Sequence, residues 1–320
     1  MTAGDILVTG ATGFIGAAVV RELVARNAGP QVLVLVRRPV PAWMTDAGVR
    51  SWRGDLTDAA SLDGLCAGVT TVVHLASQVG GDPAVCAAVN EGGTANLLEE
   101  VRRAGTTRVL HLSTCAVYRD GVHRGATESD LATDPSSATS RSRLAGERLV
   151  RAAGGVVLRP HLVHGAGDRH VVPALVHLLR AVPAWAAGGS ARTSLVAVTD
   201  LAAVIVALAL KPVPGRPGGV YHVADPRPVR IRRLALAVCG LLGLPVPAED
   251  LPLDEHRARL REALPSLSDH QYSLLTQDHW YESSRVWALA GVSPGPGFGP
   301  RLEEAADWYR RALGVPEPVA

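Results

Sequence analysis

Lysine is almost missing from this 320-residue sequence: of its 32 basic residues, only Lys211 is a lysine. The skew is mostly compositional, but it removes any lysine-dependent chemistry that Lys211 cannot supply. Aromatic residues are scarce as well, at 4%, while aliphatics abound. That balance suits a parallel sheet buried on both faces better than a β-sandwich. The four cysteines, Cys66, Cys86, Cys115 and Cys239, form no C-x-x-C pair, so isolated reduced thiols are expected rather than disulfides or a metal site. The formal charge of +2, with no basic stripe interleaved with aromatics, argues against nucleic acid as a partner. The longest apolar run, Leu201 to Leu210, is too short to span a bilayer. Met1-Thr2-Ala3-Gly4-Asp5 has no basic region of a targeting signal. A cytoplasmic protein without membrane contact is expected.

At 33.4 kDa the chain can bury one large core with a smaller appended lobe. Its first part alternates strand-like and helix-like segments. Strands are expected at Ile6 to Val8, Val32 to Val36, Thr71 to His74, Arg108 to Leu112 and Val156 to Leu158. Helices are expected up to Arg26, at Ala59 to Cys66 and at Val89 to Ala104. This order predicts an α/β fold with a doubly wound parallel sheet. After Pro160 proline and glycine cluster at Pro183 to Gly189, Pro212 to Gly219 and Pro294 to Pro300, with helices expected at Val171 to Ala181 and Arg233 to Leu242. Residues 1–160 and 194–224 are read as the dinucleotide-binding domain, and 161–193 and 225–320 as a C-terminal substrate-binding lobe.

Gly10-Ala11-Thr12-Gly13-Phe14-Ile15-Gly16 follows the first strand and opens the first helix, the position of a Rossmann phosphate loop. Gly10 allows the turn, Gly13 lets backbone approach a pyrophosphate, and Gly16 lets the helix pack close. The helix amides, with Thr12, Phe14 and Ile15 in the turn, then face the phosphates. At the end of the second strand a carboxylate would select NAD through the ribose 2′-hydroxyl. This sequence has Arg37-Arg38 instead, two guanidiniums able to bond a 2′-phosphate. That favours NADP(H) over the plainer reading of two solvated surface arginines.

The chain resembles extended short-chain dehydrogenases/reductases and nucleotide-sugar epimerases. The likeness is carried by Gly10 to Gly16, Gly54-Asp55-Leu56, Val73 to Ala76, Asn90 with Gly93-Thr94 and Leu112-Ser113-Thr114. Leu158-Arg159-Pro160, His164 to Gly167, Val198-Thr199-Asp200 and a closing Leu302 to Tyr309 helix continue it. The resemblance implies that Asp55 bonds the adenine amino group, that Leu56 flanks the ring and that Leu75-Ala76-Ser77 line the riboses. It implies that Pro160-His161-Leu162 meet the nicotinamide carboxamide. It leaves open a monomer or a homodimer formed through a helix bundle.

The resemblance breaks at the chemistry. Family members carry a serine or threonine near Thr114, and a Tyr-x-x-x-Lys whose tyrosine is the acid or base. Aligned on Ser142 and Glu147, the tyrosine position is Thr139 and the lysine position is Arg143. Lys211, the only lysine, has no tyrosine four residues earlier. Threonine cannot exchange a proton as a phenol does, and Arg143 stays charged. Arg143 is read as a ribose contact rather than a surface charge, Thr139 as pocket wall, and Tyr118 as structural. Thr114, or Ser113, would orient a substrate oxygen rather than protonate it. His161, His164 and His123 fall near the cleft, none with metal-ligand spacing, and no metal is expected.

Two functions follow. The first is an NADPH-dependent ketoreductase whose small aromatic substrate supplies its own proton from a phenol beside the carbonyl. A few extended-family ketoreductases lack the tyrosine, and this chain resembles those acting on angucyclinone-type polyketides. Its Arg/Ala/Val-rich composition fits antibiotic biosynthesis in an actinobacterium. The alternative is a non-catalytic NADP(H) sensor or scaffold; sugar epimerisation is a weaker third reading. Trp185, Trp280, Tyr281 and Trp287 are either pocket lining or small-lobe core.

Overall fold

The structure, a computed structural model, describes residues 4–211 and 218–315. Met1 to Ala3, and residues 212–217 of the turn cluster expected at Pro212 to Gly219, lie outside the described residues.

Short β-branched runs alternating with amphipathic segments produce β1 (Asp5–Thr9), α1 (Phe14–Ala25), β2 (Val32–Val36), α2 (Ala42–Asp46), β3 (Arg50–Arg53) and β4 (Val69–His74). Next come α3 (Pro83–Ala87), α4 (Gly93–Ala104), β5 (Arg108–Leu112), β6 (His123–Ala126), α5 (Ala138–Ala152), β7 (Val156–Pro160) and β8 (Leu162–His164). Then follow α6 (Val172–Ala181), β9 (Ala184–Ala186), β10 (Arg192–Thr193), β11 (Leu195–Ala197), α7 (Val198–Leu210), β12 (Gly219–Val223), β13 (Val229–Arg230) and α8 (Ile231–Leu242). The chain closes with β14 (Glu249–Leu251), α9 (Leu253–Ala263), α10 (Asp269–Thr276), β15 (His279–Tyr281), α11 (Ser284–Ala290), α12 (Phe298–Glu304) and α13 (Ala306–Leu313).

Seven parallel strands form the central sheet in the order β12-β7-β5-β4-β1-β2-β3. The order reverses between β1 and β4, so their carboxyl ends flank the crevice where doubly wound sheets bind ligands. One face packs Val19, Val20 and Leu23 of α1 with Leu201, Val204 and Ile205 of α7. The other packs Leu97 and Val101 of α4 with Val150 of α5. Fully burying each such side chain contributes roughly 1.5–3 kcal/mol, and this two-sided burial explains why the strands read as continuous apolar runs. A separate core joins α6, α8, α12 and α13 in the small lobe. Among the described residues no helix is long and apolar enough to cross a membrane.

The structure differs from the sequence reading in four places. The helix expected at Ala59 to Cys66 is only a 3-10 turn over Ala59–Leu62, capped by Asp58 and followed by Gly64 at φ +82°. The single helix expected at Val89 to Ala104 is a π-turn at Ala88–Gly92, continuing from α3, followed by α4; the π-turn holds buried Asn90. The closing helix expected at Leu302 to Tyr309 is two, α12 and α13, meeting at Ala305. The two domains also interleave more than expected. β6, from the first 160 residues, joins the small four-stranded sheet β13-β10-β15-β6. Conversely, Val286, Trp287 and Ala290 of α11 pack into the core of the large sheet.

Candidate functional site

The carboxyl end of the central sheet divides into a phosphate side and a chemistry side. On the phosphate side, Gly10 sits at φ +69°, and a Cβ there would fall 2.7 Å from the Ala76 amide nitrogen. At Gly16 a Cβ would overlap the Gly10 carbonyl. The loop therefore lies pressed against the β4 end, where Leu75 N and Ala76 N both donate to Thr9 Oγ1 at 3.2 Å. Gly13 is different: only the Gly10 oxygen, at 3.3 Å, comes near its missing side chain. It forms the N-cap of α1 with no side-chain hydrogen bond to the first helical amides. A groove of ≈ 930 Å3 opens beside it, lined among others by Thr12, Gly13, Phe14, Gly167 and Trp308. An uncapped helix N-terminus behind a backbone without side chain is a seat for an anion. These residues fit a dinucleotide pyrophosphate.

Arg37 and Arg38 are both exposed at the end of β2. Arg37 Nη1 lies 3.8 Å from Asp55 Oδ2, while Asp55 Oδ1 accepts from Thr57 N and Thr57 Oγ1, both at 2.9 Å. The Thr57 amide holds the Asp55 carboxyl below the usual carboxylate range. Sequence reasoning missed Arg53, which pairs in register with Val36 and brings a third exposed arginine to this edge. Its signal was its position just before Gly54-Asp55-Leu56. Leu56 is buried, with its Cβ against Gly93. Ser77 Oγ donates to Asn90 Oδ1 at 3.1 Å, and Asn90 also donates to Ser142 Oγ at 2.9 Å. The π-turn thus fixes the segment after β4 to α5.

On the chemistry side, Arg143 Nη2 donates to the Ser113 and Leu112 carbonyls, at 2.8 and 3.1 Å. Burial brings this guanidinium down to about 10, so it is still a cation at neutral pH. Thr139 Oγ1 accepts from Gly80 N at 3.1 Å, pinning the loop that follows β4. Ser113 requires a correction. It was expected as an alternative to Thr114 for orienting substrate, but it is fully buried and donates to Glu147 Oε2 at 2.7 Å. Glu147 needs that bond because it is sealed from water in an ion pair with Arg159. Thr114 stays partly exposed; its oxygen accepts from Ala116 N at 3.2 Å, which leaves its hydroxyl proton to donate elsewhere.

Around Tyr118 and His161 lies a cluster that sequence reasoning saw only in part. Its members are Tyr118, His123, His161, His222, His279 and Tyr281. His222 Nδ1 donates to the Glu282 carbonyl at 3.1 Å, so its Nε2 accepts from the Tyr118 hydroxyl at 2.6 Å. His123 Nε2 donates to the Arg119 carbonyl at 3.1 Å, so its Nδ1 accepts from the Tyr281 hydroxyl at 2.8 Å. His279 Nδ1 donates to the Gln277 carbonyl at 3.0 Å. Burial pushes both phenols upward and brings His222 and His279 down to about 4. Both tyrosines are therefore proton donors to histidine, too weakly acidic and too enclosed to replace a catalytic phenol. His222 and His279 were invisible in sequence because they meet Tyr118 and His161 from over 100 residues away. Trp185 and Trp287 belong to cores, and His164 packs on Phe298. Tyr309 closes the Gly165 segment, accepting from Gly165 N and donating to Asp168.

The model of the NAD dependent epimerase/dehydratase family matches residues 6–224. The 2-alkyl-3-oxoalkanoate reductase of Stenotrophomonas maltophilia (strain K279a) is 31% identical over 254 residues, covering 75% of this chain and 76% of that protein. The 4-hydroxy-2-methyl-3-oxo-4-farnesyl-3,4-dihydroquinoline-1-oxide ketoreductase of Stigmatella aurantiaca is 30% identical over 264 residues, covering 78% and 77%. The solved structure of MoeE5 in complex with UDP-glucose and NAD superposes with a TM-score of 0.72 at 26% identity, covering 97% of this chain and all of that one.

Proposed function

The chain belongs to the NAD dependent epimerase/dehydratase family, and on that premise we propose that it is an oxidoreductase, an NADPH-dependent ketoreductase acting on an aromatic polyketide of the angucyclinone type in antibiotic biosynthesis. The observation that carries this reading is the contrast within one crevice. The glycine cradle is intact, while the two nearby phenols donate to His222 and His123 and the tyrosine position is Thr139. Two of its relatives are, by name, reductases of a 3-oxo group, which supports carbonyl reduction over sugar epimerisation.

Bound NADPH would supply the hydride. Gly10 and Gly13, with the α1 amides, seat the pyrophosphate. Arg37 and Arg38, joined by Arg53, take the 2′-phosphate with charge-assisted bonds. Asp55, Leu56, Leu75, Ala76 and Ser77 line the adenosine and ribose path, Arg143 faces the nicotinamide ribose, and the Pro160-His161-Leu162 strap meets the nicotinamide end. Thr114 donates to the carbonyl oxygen and holds it in place. The proton comes from a phenol on the substrate itself, already bonded to that oxygen. A positioned acid is worth about 10²–10⁴-fold in rate, and an internal phenol restores that factor without a protein group. An angucyclinone 7-ketoreductase of the simocyclinone type, likewise without the tyrosine, is the activity this reading points to.

NADPH oxidation, followed near 340 nm, tests the reading with phenol-flanked aromatic ketones beside simple ketones and nucleotide sugars. Turnover confined to the phenol-flanked ketones is expected. Tight NADPH binding with no turnover of any of them would instead select a non-catalytic NADP(H) sensor.

A further inference from the structure

We propose that His161 donates a hydrogen bond to the substrate's phenol oxygen, the oxygen next to the reducible carbonyl, and so makes that phenol a better internal acid. The proposal rests on the reading that the substrate brings its own proton.

His161 follows Pro160 directly at the carboxyl end of β7, beside the β5 end that carries Thr114. Its ring stacks on His279 at 5.8 Å between centroids and 17° between planes, and meets Tyr281 edge-on at 5.3 Å. The stack fixes the ring plane without using either nitrogen. The residue keeps a partly exposed surface, yet its Nε2 is sealed inside with no hydrogen-bond partner. The other histidines of the cluster are committed: His279, His222 and His123 each donate to a main-chain carbonyl, and the last two also accept from tyrosine. His161 is the member of the cluster with neither ring nitrogen hydrogen-bonded.

A buried N–H without an acceptor is rarer than a buried lone pair without a donor. The favoured tautomer therefore leaves Nε2 bare inside and carries the proton on Nδ1. Burial, with His279 and His123 nearby, holds the pKa of His161 well below the ordinary imidazole value. The ring is thus a neutral N–H donor rather than an acid, a form of imidazole well suited to polarising an oxygen.

The phenol oxygen is the partner that needs such a donor. Its own hydrogen points to the carbonyl, which also receives Thr114, so its outward lone pairs are open. In the reaction the carbonyl carbon gains the hydride, the C=O electron pair settles on oxygen, and the phenol proton moves to that oxygen. The phenolate left behind is held by the His161 N–H until water reprotonates it on release. No proton leaves His161.

The test uses the NADP+ complex of the full chain with a peri-hydroxyanthraquinone, whose ionisation is read by the red shift of its absorbance as pH is raised. In the wild type the bound phenol ionises at a lower pH than the free dye. H161F moves that ionisation to higher pH, a fall of about 10- to 100-fold in acid constant, and H161Q, with an amide N–H, recovers most of it. H161M, also without a donor, replaces H161F if the latter does not fold. Reduction of peri-hydroxytetralone falls by a similar factor in H161F and is largely restored in H161Q. If H161F and H161M bind the dye and leave its ionisation at the wild-type pH, the proposal is wrong. Failure of the substrate-proton reading shows separately: the methyl ether of peri-hydroxytetralone would then be reduced as fast as the phenol, whatever the dye does.

Discussion

The two halves of the crevice are built by different rules. The phosphate side is local in sequence: one strand, one glycine turn and one helix supply Gly10 to Gly16, and the neighbouring strand ends supply Arg37, Arg38 and Asp55. The chemistry side is assembled from far apart. Glu147 reaches Ser113 and Arg159, Tyr118 reaches His222 across 104 residues, and His123 reaches Tyr281 across 158. A cradle made of backbone depends on glycine at a few positions and tolerates change elsewhere. A side built from buried polar side chains is tolerant only if every member keeps its partner.

The largest effect should come from breaking the distant network. E147A leaves Arg159, 2% exposed, as an unpaired buried cation, and removing one partner of such a pair costs about 3–5 kcal/mol. Urea unfolding should show that loss. A change under 1 kcal/mol would mean the two sides are equally tolerant and the comparison fails.

Next in size is the phosphate side's charge. R37A/R38A should weaken NADPH by about 10- to 100-fold and leave NADH affinity nearly unchanged, measured by nucleotide fluorescence. Equal losses for both nucleotides would place the arginines elsewhere than at the 2′-phosphate.

A smaller effect separates the halves by pH. Burial brings His74, bonded between Thr9 and Thr94, down to about 4. Its folded pKa lies below its unfolded value near 6.5, so its contribution is complete above pH 6.5 and is lost as pH falls toward 4. Between pH 7.5 and 5 this one residue should lower stability by about 2 kcal/mol. H74N should flatten that part of the curve in denaturant titrations. An unchanged slope would show that His74 is not the group responsible.

The sequence made the fold legible where periodicity is local: the strand runs, the glycine turn and the doubly wound parallel sheet could all be read off, whereas the reversal of strand order between β1 and β4 emerged only in the structure. The missing dyad was legible too, because one lysine in the whole chain excludes it. The histidine cluster was not, since a lone His222 or His279 carries no local signal and their partners lie on other elements. Nor was the burial of Ser113, which follows from Glu147 folding inward from α5 rather than from anything beside it in the chain. The π-turn at Asn90 was hidden for a related reason: a helical apolar pattern does not reveal one extra residue in a turn.

The central claim is that this protein reduces a carbonyl with a proton the protein does not supply. The most direct measurement is the rate of NADPH oxidation by the wild type with peri-hydroxytetralone, its methyl ether and plain tetralone. The account predicts turnover of the phenol and a rate lower by about 10²–10⁴-fold for the other two. Equal rates for all three would contradict it, and would require a proton donor within the protein.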